Sequence, residues 1–313
     1  MITLKNITKK FDNQIAVDKL SLELKKGELC AFVGESGCGK STTLRMINRL
    51  IEPDEGLIEI NGKDINDYKA EDLRRSIGYV VQSTGLFPHM NVRENISVVP
   101  RLLKWDEKRT LERVKELIAM VGLDVNTYIN KYPSELSGGE AQRIGVARAL
   151  AADPEIILMD EPFGAVDPLN RNNLQNEFLK IQRQLKKTVI FVTHDIEEAM
   201  KMGDKIAIMS KGKIQSFGTP EEVLMSDNEF VKSFLGKETY IKILSRYQVR
   251  QCISASGKEL SEYQIEANAD LRSALATMLQ YGIDSMDVIE QKKKIGVITL
   301  KNIVGIFQKG YEL

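Results

Sequence analysis

Apolar positions along the chain switch between two periods, and the switches outline its elements. Leu20, Leu22 and Leu24 alternate with Ser21 and Glu23, the period of a half-buried strand. Residues 6–11 and 15–17 read as short strands before it, joined by the turn Asp12-Asn13. The run Leu29-Cys30-Ala31-Phe32-Val33 is continuously apolar, as a strand covered on both faces is. Beyond it, Leu44, Ile47 and Leu50 fall at helical spacing over 43–50. Residues 57–60 with Asn61-Gly62 predict a strand and a tight hairpin turn, and 77–81 a strand ending at Gln82. Leu111, Val114, Leu117, Ile118 and Val121 predict a helix across 107–121, in a largely helical region entered through the loop 83–89. Apolar strands at 155–159 and 188–193 frame a helix over 170–186. Strands at 205–209 and 213–217 follow, and Thr219-Pro220-Glu221-Glu222 opens another helix, with threonine at the cap and proline at its first position.

The pattern then changes scale. After a hinge around 236–245, residues 246–313 read as a separate small unit. Within it 270–279 is helical, with Leu271, Ala274, Leu275, Met278 and Leu279 on one face. Strands at 287–289 and 295–299 flank Gln291-Lys292-Lys293-Lys294, and 300–307 is a helix. The lysine run reads most simply as a solvated turn, with a sensor of anionic membranes as the sharper alternative.

Composition narrows this to a globular chain. At 313 residues there is room for one large domain and a smaller one, or for two medium ones, and a 42% apolar share supports a real core. Lys+Arg and Asp+Glu balance at 44 each, so no global field recruits nucleic acid. No apolar run is long enough to span a membrane, and the first residues lack a signal-peptide core. Cys30, Cys38 and Cys252 show no metal spacing, which suits a reducing compartment.

Candidate chemistry gathers at the ends of the predicted strands. Gly34-Glu35-Ser36-Gly37-Cys38-Gly39-Lys40-Ser41-Thr42 sits between an apolar strand and a helix. Glycines there let backbone N–H groups converge on phosphate oxygens, Lys40 reaches phosphate, and Ser41 suits Mg²⁺. Phe11, ahead of this loop, is either a core aromatic or a surface on which a base stacks. In Leu136-Ser137-Gly138-Gly139-Glu140-Ala141-Gln142-Arg143, Ser137 and Glu140 form a capping box for a helix through Leu150. Capping leaves unexplained two adjacent glycines, each costing about 1 kcal/mol against alanine in a helix. Bare backbone at a helix start suggests a second phosphate contact. The strand at 155–159 ends in Asp160-Glu161-Pro162, carboxylates placed for the ligand crevice of an α/β sheet. Asp160 suits Mg²⁺ and Glu161 suits polarising a water, while His194, at the end of 188–193, can reach a terminal phosphate.

These motifs, in this order, resemble the nucleotide-binding subunit of ABC transporters over about residues 1–236. The loop from Gly34 is similar to its Walker A, Gln82 to its Q-loop and 136–143 to its signature. Residues 156–162 are similar to its Walker B, Gly164-Ala165-Val166-Asp167 to its D-loop and His194 to its switch histidine. Glu140 stands where that family most often has glutamine, and Gly164-Ala165-Val166 where Ser-Ala-Leu is usual; neither change removes a phosphate donor or a carboxylate. The implied fold is an α/β P-loop NTPase domain with antiparallel β and helical subdomains. The implied ligands are ATP and Mg²⁺, the metal held through Ser41, Gln82 and Asp160, with Phe11 on the adenine. The implied partners are a second, head-to-tail copy and integral membrane permease subunits docked at Gly85-Leu86-Phe87-Pro88. In that dimer Ser137, Gly138, Gly139 and Glu140 of one copy close on ATP held by the other. Asp167, in the D-loop, is likewise implied to contribute to ATP binding, and the location implied is the cytoplasmic face of the membrane.

The tail, with Met278, Gly282 and 296–299, resembles a single CBS motif (246–313, after a linker at 237–245). Such motifs act in pairs, which implies pairing across the dimer. Asn302 stands where an adenosine-contacting acid is expected, so a regulatory nucleotide, ionic-strength sensing and simple dimerisation stay open. An importer ATPase joined to CBS sequence is similar to uptake systems for glycine betaine, carnitine or choline, which work with an extracellular or periplasmic substrate-binding protein or domain. An importer for an amino acid, methionine or a metal would share every ATPase motif. A non-transport ABC ATPase would show a coiled-coil insertion, zinc cysteines or a basic face, none of which the sequence has.

Overall fold

The computed structural model describes residues 1–305 apart from 13, 82–84, 165, 167, 237–240, 242, 255–260 and 292. It divides into two compact units, Met1–Thr219 and Pro220–Leu313.

In the first unit two sheets share one core. Strands β1 (Ile2–Phe11) and β2 (Gln14–Leu24) form a hairpin, joined by β4 (Glu55–Ile60) and β5 (Lys63–Asp64) in the antiparallel order β2-β1-β4-β5. The second sheet comprises β3 (Leu29–Gly34), β6 (Ile77–Val80), β7 (Ile156–Asp160), β8 (Thr188–Thr193), β9 (Lys205–Ser210) and β10 (Lys213–Gly218). Its order is β10-β9-β3-β8-β7-β6, parallel except for the edge strand β10. Every residue of β3, β7 and β8 is buried, which is why their sequences run apolar without alternation. Ile2, Leu22 and Ile58 of the first sheet pack in one cluster with Phe32, Leu158 and Ile190 of the second.

Helices α1 (Lys40–Ile47), α2 (Ala70–Ser76), α7 (Pro168–Leu185) and α8 (Ile196–Met202) connect strands. Between β6 and β7 the chain is helical: α3 (Val92–Leu102), α4 (Glu107–Met120), α5 (Val125–Tyr128) and α6 (Gly138–Leu150), with α3 packed on α4 and α6. The two short strands expected before Leu20 are instead parts of two long ones, β2 absorbing 15–17 through bulges in its pairing with β1. Helix α1 stops at Ile47 because Leu50 N–H turns back onto Arg45 O; Leu50, at helical spacing in the sequence, is exposed.

The second unit starts with α9 (Pro220–Leu224) and α10 (Glu229–Leu235). It continues β11 (Gln264–Glu266), α11 (Leu271–Tyr281), β12 (Ser285–Glu290), β13 (Lys293–Thr299) and α12 (Leu300–Gly305). β12 pairs with β11 in parallel and with β13 antiparallel. Leu271, Ala274 and Met278 are buried, but Leu279 is 70% exposed, so the apolar face of α11 is narrower than its sequence suggests. The lysine run is not simply a solvated turn: Lys294 Nζ lies 2.8 Å from the buried carboxylate of Asp287. Burial pushes the Asp287 carboxyl up, but bonds from Lys294 and from Ser261 N–H outweigh this and hold it below the ordinary range. Asn302 and Thr299 cap α12 reciprocally, and Asn302 Nδ2 donates to Ser254 Oγ. Lys292 and Phe307 lie outside the described residues. Among the described residues, no helix is long and apolar enough to cross a membrane.

Candidate functional site

Three adjacent parallel strands, β3, β8 and β7, end on one edge of the sheet, and each delivers a candidate side chain there. β3 ends at Gly34 and hands the chain to a tight loop, 35–39, that opens α1. Gly39 caps that helix at φ 104°, a conformation unfavourable for any residue with a Cβ. An added Cβ would also stand 2.4 Å from Ala16 O, so β2 presses directly on the loop. Glu35, Ser36 and Gly37 form its exposed tip, and Thr42 follows Ser41 in the first turn of α1.

Lys40 is buried, and its ammonium donates to Gly34 O and Glu35 O, both at 2.8 Å, with Cys38 Sγ at 3.7 Å. All three partners are uncharged, so the loop holds a buried cation with no counter-ion among its hydrogen-bond partners. That arrangement is costly alone and is relieved by an anion. Burial pushes the Cys38 thiol up, with Lys40 opposing it. A phosphate therefore fits this loop by charge as well as by backbone.

Ser41 Oγ donates to Asp160 Oδ1 at 2.7 Å, joining α1 to the end of β7. A hydroxyl and a carboxylate in contact at a strand end form a hard-oxygen donor pair, which fits Mg²⁺. Glu161, the next residue, takes a left-handed backbone (φ 46°) held by Glu161 N–H to Val192 O and Gly164 N–H to Glu161 O. Its carboxylate lies 3.7 Å from His194 Nδ1. Strain at a non-glycine residue is common where a site needs a side chain aimed precisely. Thus Gly34, Lys40, Ser41, Asp160, Glu161 and His194 converge.

Phe11 ends β1 and is 46% exposed with Lys9 Nζ 5.5 Å from its ring centre, so the core reading of this aromatic falls. Gln82 and Asp167 lie outside the described residues. The signature residues are built differently. Ser137 caps α6, accepting Glu140 N–H at 3.3 Å while Glu140 Oε2 accepts Ser137 N–H at 2.8 Å. Tyr128 OH donates to Glu140 Oε1, and this bond, with those from Ser137, holds the Glu140 carboxyl below its ordinary range. Tyr128 was not legible as a partner because it reaches Glu140 from a separate helix, α5. A Cβ added at Gly139 meets nothing within 4 Å, so the fold itself sets no demand for glycine there. Among the described residues, no hydrogen bond or ion pair joins Ser137, Gly138 or Gly139 to the phosphate loop.

Residues 17–164 match the family model described as ABC transporter. The chain is 54% identical over 250 residues to the osmoprotectant import ATP-binding protein OsmV of Salmonella typhimurium. That alignment takes in 78% of this chain and 65% of OsmV, under two thirds of that relative's length. It is 47% identical over 296 residues to the glycine betaine/carnitine/choline transport ATP-binding protein OpuCA of Bacillus subtilis, covering 93% of this chain and 76% of that one. Among solved structures it resembles the ATP-binding cassette MJ0796, as a dimer in a post-hydrolysis state bound to ADP and Pi. The TM-score there is 0.63 at 34% identity, over 70% of this chain and 99% of the other.

Proposed function

This chain belongs to the ATP-binding subunits of ABC transporters, and from that premise we propose that it powers an importer for a quaternary-amine osmoprotectant: glycine betaine, carnitine or choline. The observation that carries the substrate class is the alignment with OpuCA, which runs through 93% of the chain and so includes the tail as well as the ATPase motifs.

The family binds ATP, and the residues here divide the work. The loop of Gly34, Glu35, Ser36, Gly37, Cys38 and Gly39 offers backbone N–H groups, and the Lys40 ammonium balances phosphate charge. Ser41 and Asp160, with Gln82, would hold Mg²⁺, whose contribution when bound is to neutralise charge developing between the phosphates. Glu161 polarises the attacking water, and His194, 3.7 Å away, helps to hold the terminal phosphate and water in line. Phe11, exposed at the end of β1, offers its ring to the adenine.

Closure needs a second copy. The open space around Gly139 supports this reading: glycine there lets a phosphate on a head-to-tail partner approach the start of α6, with Ser137, Gly138 and Glu140 beside it. Asp167 is assigned to the ATP site by its motif alone. Alternation between closed and open dimers would drive permease subunits docked at 85–88, on the cytoplasmic face of the membrane. A separate substrate-binding protein or domain would recognise the ammonium. Functionally the ATPase module runs to 236, with 237–245 as linker and 246–313 as a CBS-like module. In that module the order β11-α11-β12-β13-α12 supports the resemblance, while the internal bonding of Asn302 favours pairing over nucleotide binding.

The test is reconstitution with the permease and binding protein, followed by ATP-dependent uptake of labelled betaine, carnitine and choline. Uptake of at least one, lost in Glu161→Gln, is expected. Transport of methionine or another amino acid with none of the three would overturn the substrate class.

A further inference from the structure

Behind His194 lies a buried acid that none of the chemistry above uses. Glu198, on α8, is 6% exposed, and its Oε2 accepts Thr193 Oγ1 at 2.7 Å. The same hydroxyl oxygen accepts Asp195 N–H at 3.0 Å. Glu198 Oε1 accepts Gln175 Nε2 at 3.1 Å, and Gln175 Oε1 accepts Lys201 Nζ at 3.0 Å. The ammonium must face the amide oxygen, so the amide N–H must face the carboxylate, and the polarity of the whole chain is set. Donors converge on Glu198 from both ends, from Lys201 through Gln175 on one side and from Asp195 N–H through Thr193 on the other. The two residues that flank His194 are therefore tied down, while the His194 side chain itself is 65% exposed.

A second link comes from α7. Arg171 Nη2 donates to Val166 O at 3.1 Å, its Nε lies 3.9 Å from Glu198 Oε1, and its Nη1 lies 4.0 Å from Asp195 Oδ2. One guanidinium thus sits between the loop after Glu161 and the turn that carries His194. The charged groups facing Glu198 are Arg171 from α7 and Asp195 and Lys201 from α8. Burial pushes the Glu198 carboxyl up and Asp195 adds to this, against the bonds from Thr193 and Gln175 and the charge of Arg171.

Burying a carboxylate beside a second one is a liability for the fold. Capping does not account for it, because Asp195 already caps α8 through Glu197 N–H at 2.8 Å. We propose that Glu198 is a positioning residue for His194: through Thr193 it fixes the turn that carries the histidine, and through Gln175 and Arg171 it ties that turn to α7 and to the loop at Val166. This rests on the reading of His194 as a hydrolytic residue.

The test is a double-mutant cycle in the full-length chain, reading steady-state ATPase, binding of a fluorescent ATP analogue and Tm. Thr193→Val is expected to lower kcat roughly tenfold with KM near wild type, as misplacement without loss of binding does, and to lower Tm because Glu198 Oε2 and Asp195 N–H lose their partner. Thr193→Ser, which restores the hydroxyl, recovers the lost turnover. In a His194→Ala background, read by single turnover, Thr193→Val has no further effect. Wild-type kcat in folded Thr193→Val, or a loss that multiplies with that of His194→Ala, overturns the proposal. Where Thr193→Val does not fold, the cycle is run with Glu198→Gln, expected to lower kcat roughly threefold because the amide keeps its shape but not its charge. Wild-type turnover in His194→Ala alone overturns the underlying reading of His194 instead.

Discussion

The starts of α1 and α6 are both glycine-marked helix ends suited to phosphate, yet they are made in opposite ways. At the first, Gly39 is imposed from inside the chain: its φ is 104° and a Cβ would strike Ala16 O. At the second, Gly139 has open space around it, and the end is organised by side chains, Ser137, Glu140 and Tyr128. The first is a cradle completed by its own fold. The second is a finished cap in which the fold makes no steric demand for glycine at 139, as expected of a surface shaped for another molecule. In the proposed mechanism this difference separates holding a nucleotide from closing over it.

The sharpest way to separate those two acts is Glu161→Gln. With both helix ends intact, turnover should fall to background while ATP binding persists, so ATP-dependent dimers accumulate in size-exclusion chromatography; sustained hydrolysis would remove Glu161 from its role. Next in size is the paired exchange of the glycines. Gly39→Ala should lose nucleotide binding and lower Tm by several degrees, since a strained φ alone costs about 1–2 kcal/mol before the clash. Gly139→Ala should leave Tm and ATP affinity of the single chain unchanged while dimer turnover drops roughly tenfold. Equal losses of Tm in the two variants would erase the distinction.

A smaller contrast lies within the cap. Ser137→Ala should cost about 1 kcal/mol of stability from the lost cap bond. Ser137→Trp should also abolish ATP-dependent dimerisation, and normal dimers would count against closure at this helix end. The least effect is electrostatic. Because Tyr128 and Ser137 hold Glu140 below the ordinary 4.5, its contribution is present above that value and is lost as pH falls through the depressed one. Glu140→Gln should therefore lower Tm only slightly at neutral pH, because solvent screens this exposed cap, and the gap to wild type should close in acid.

How much of this was legible follows from the range of each interaction. The phosphate loop is local: strand, glycines, lysine and helix all lie within residues 29–47, and the fold keeps them together. The carboxylates at the end of β7 were legible because a fully apolar strand must be central, and central strands end at the crevice. Leu50 misled because side-chain spacing does not reveal where a chain turns back on itself. Lys294 misled because the two residues before it are lysines, while its partner Asp287 comes from the opposing strand. The brace behind His194 was hidden for a related reason. Glu198, in the first turn of α8, passes for an ordinary dipole-favoured acid until Gln175 is brought from another helix to meet it.

The left-handed backbone at Glu161 bears on the protein's evolution. Asparagine and glycine tolerate that conformation better than glutamate does, by about 1–3 kcal/mol in strained cases. Mutational drift at this position therefore gains folding energy at the expense of activity. A screen of this chain for thermostability alone would be expected to return inactive Glu161→Asn among its winners, and only selection on ATP turnover keeps the glutamate in place.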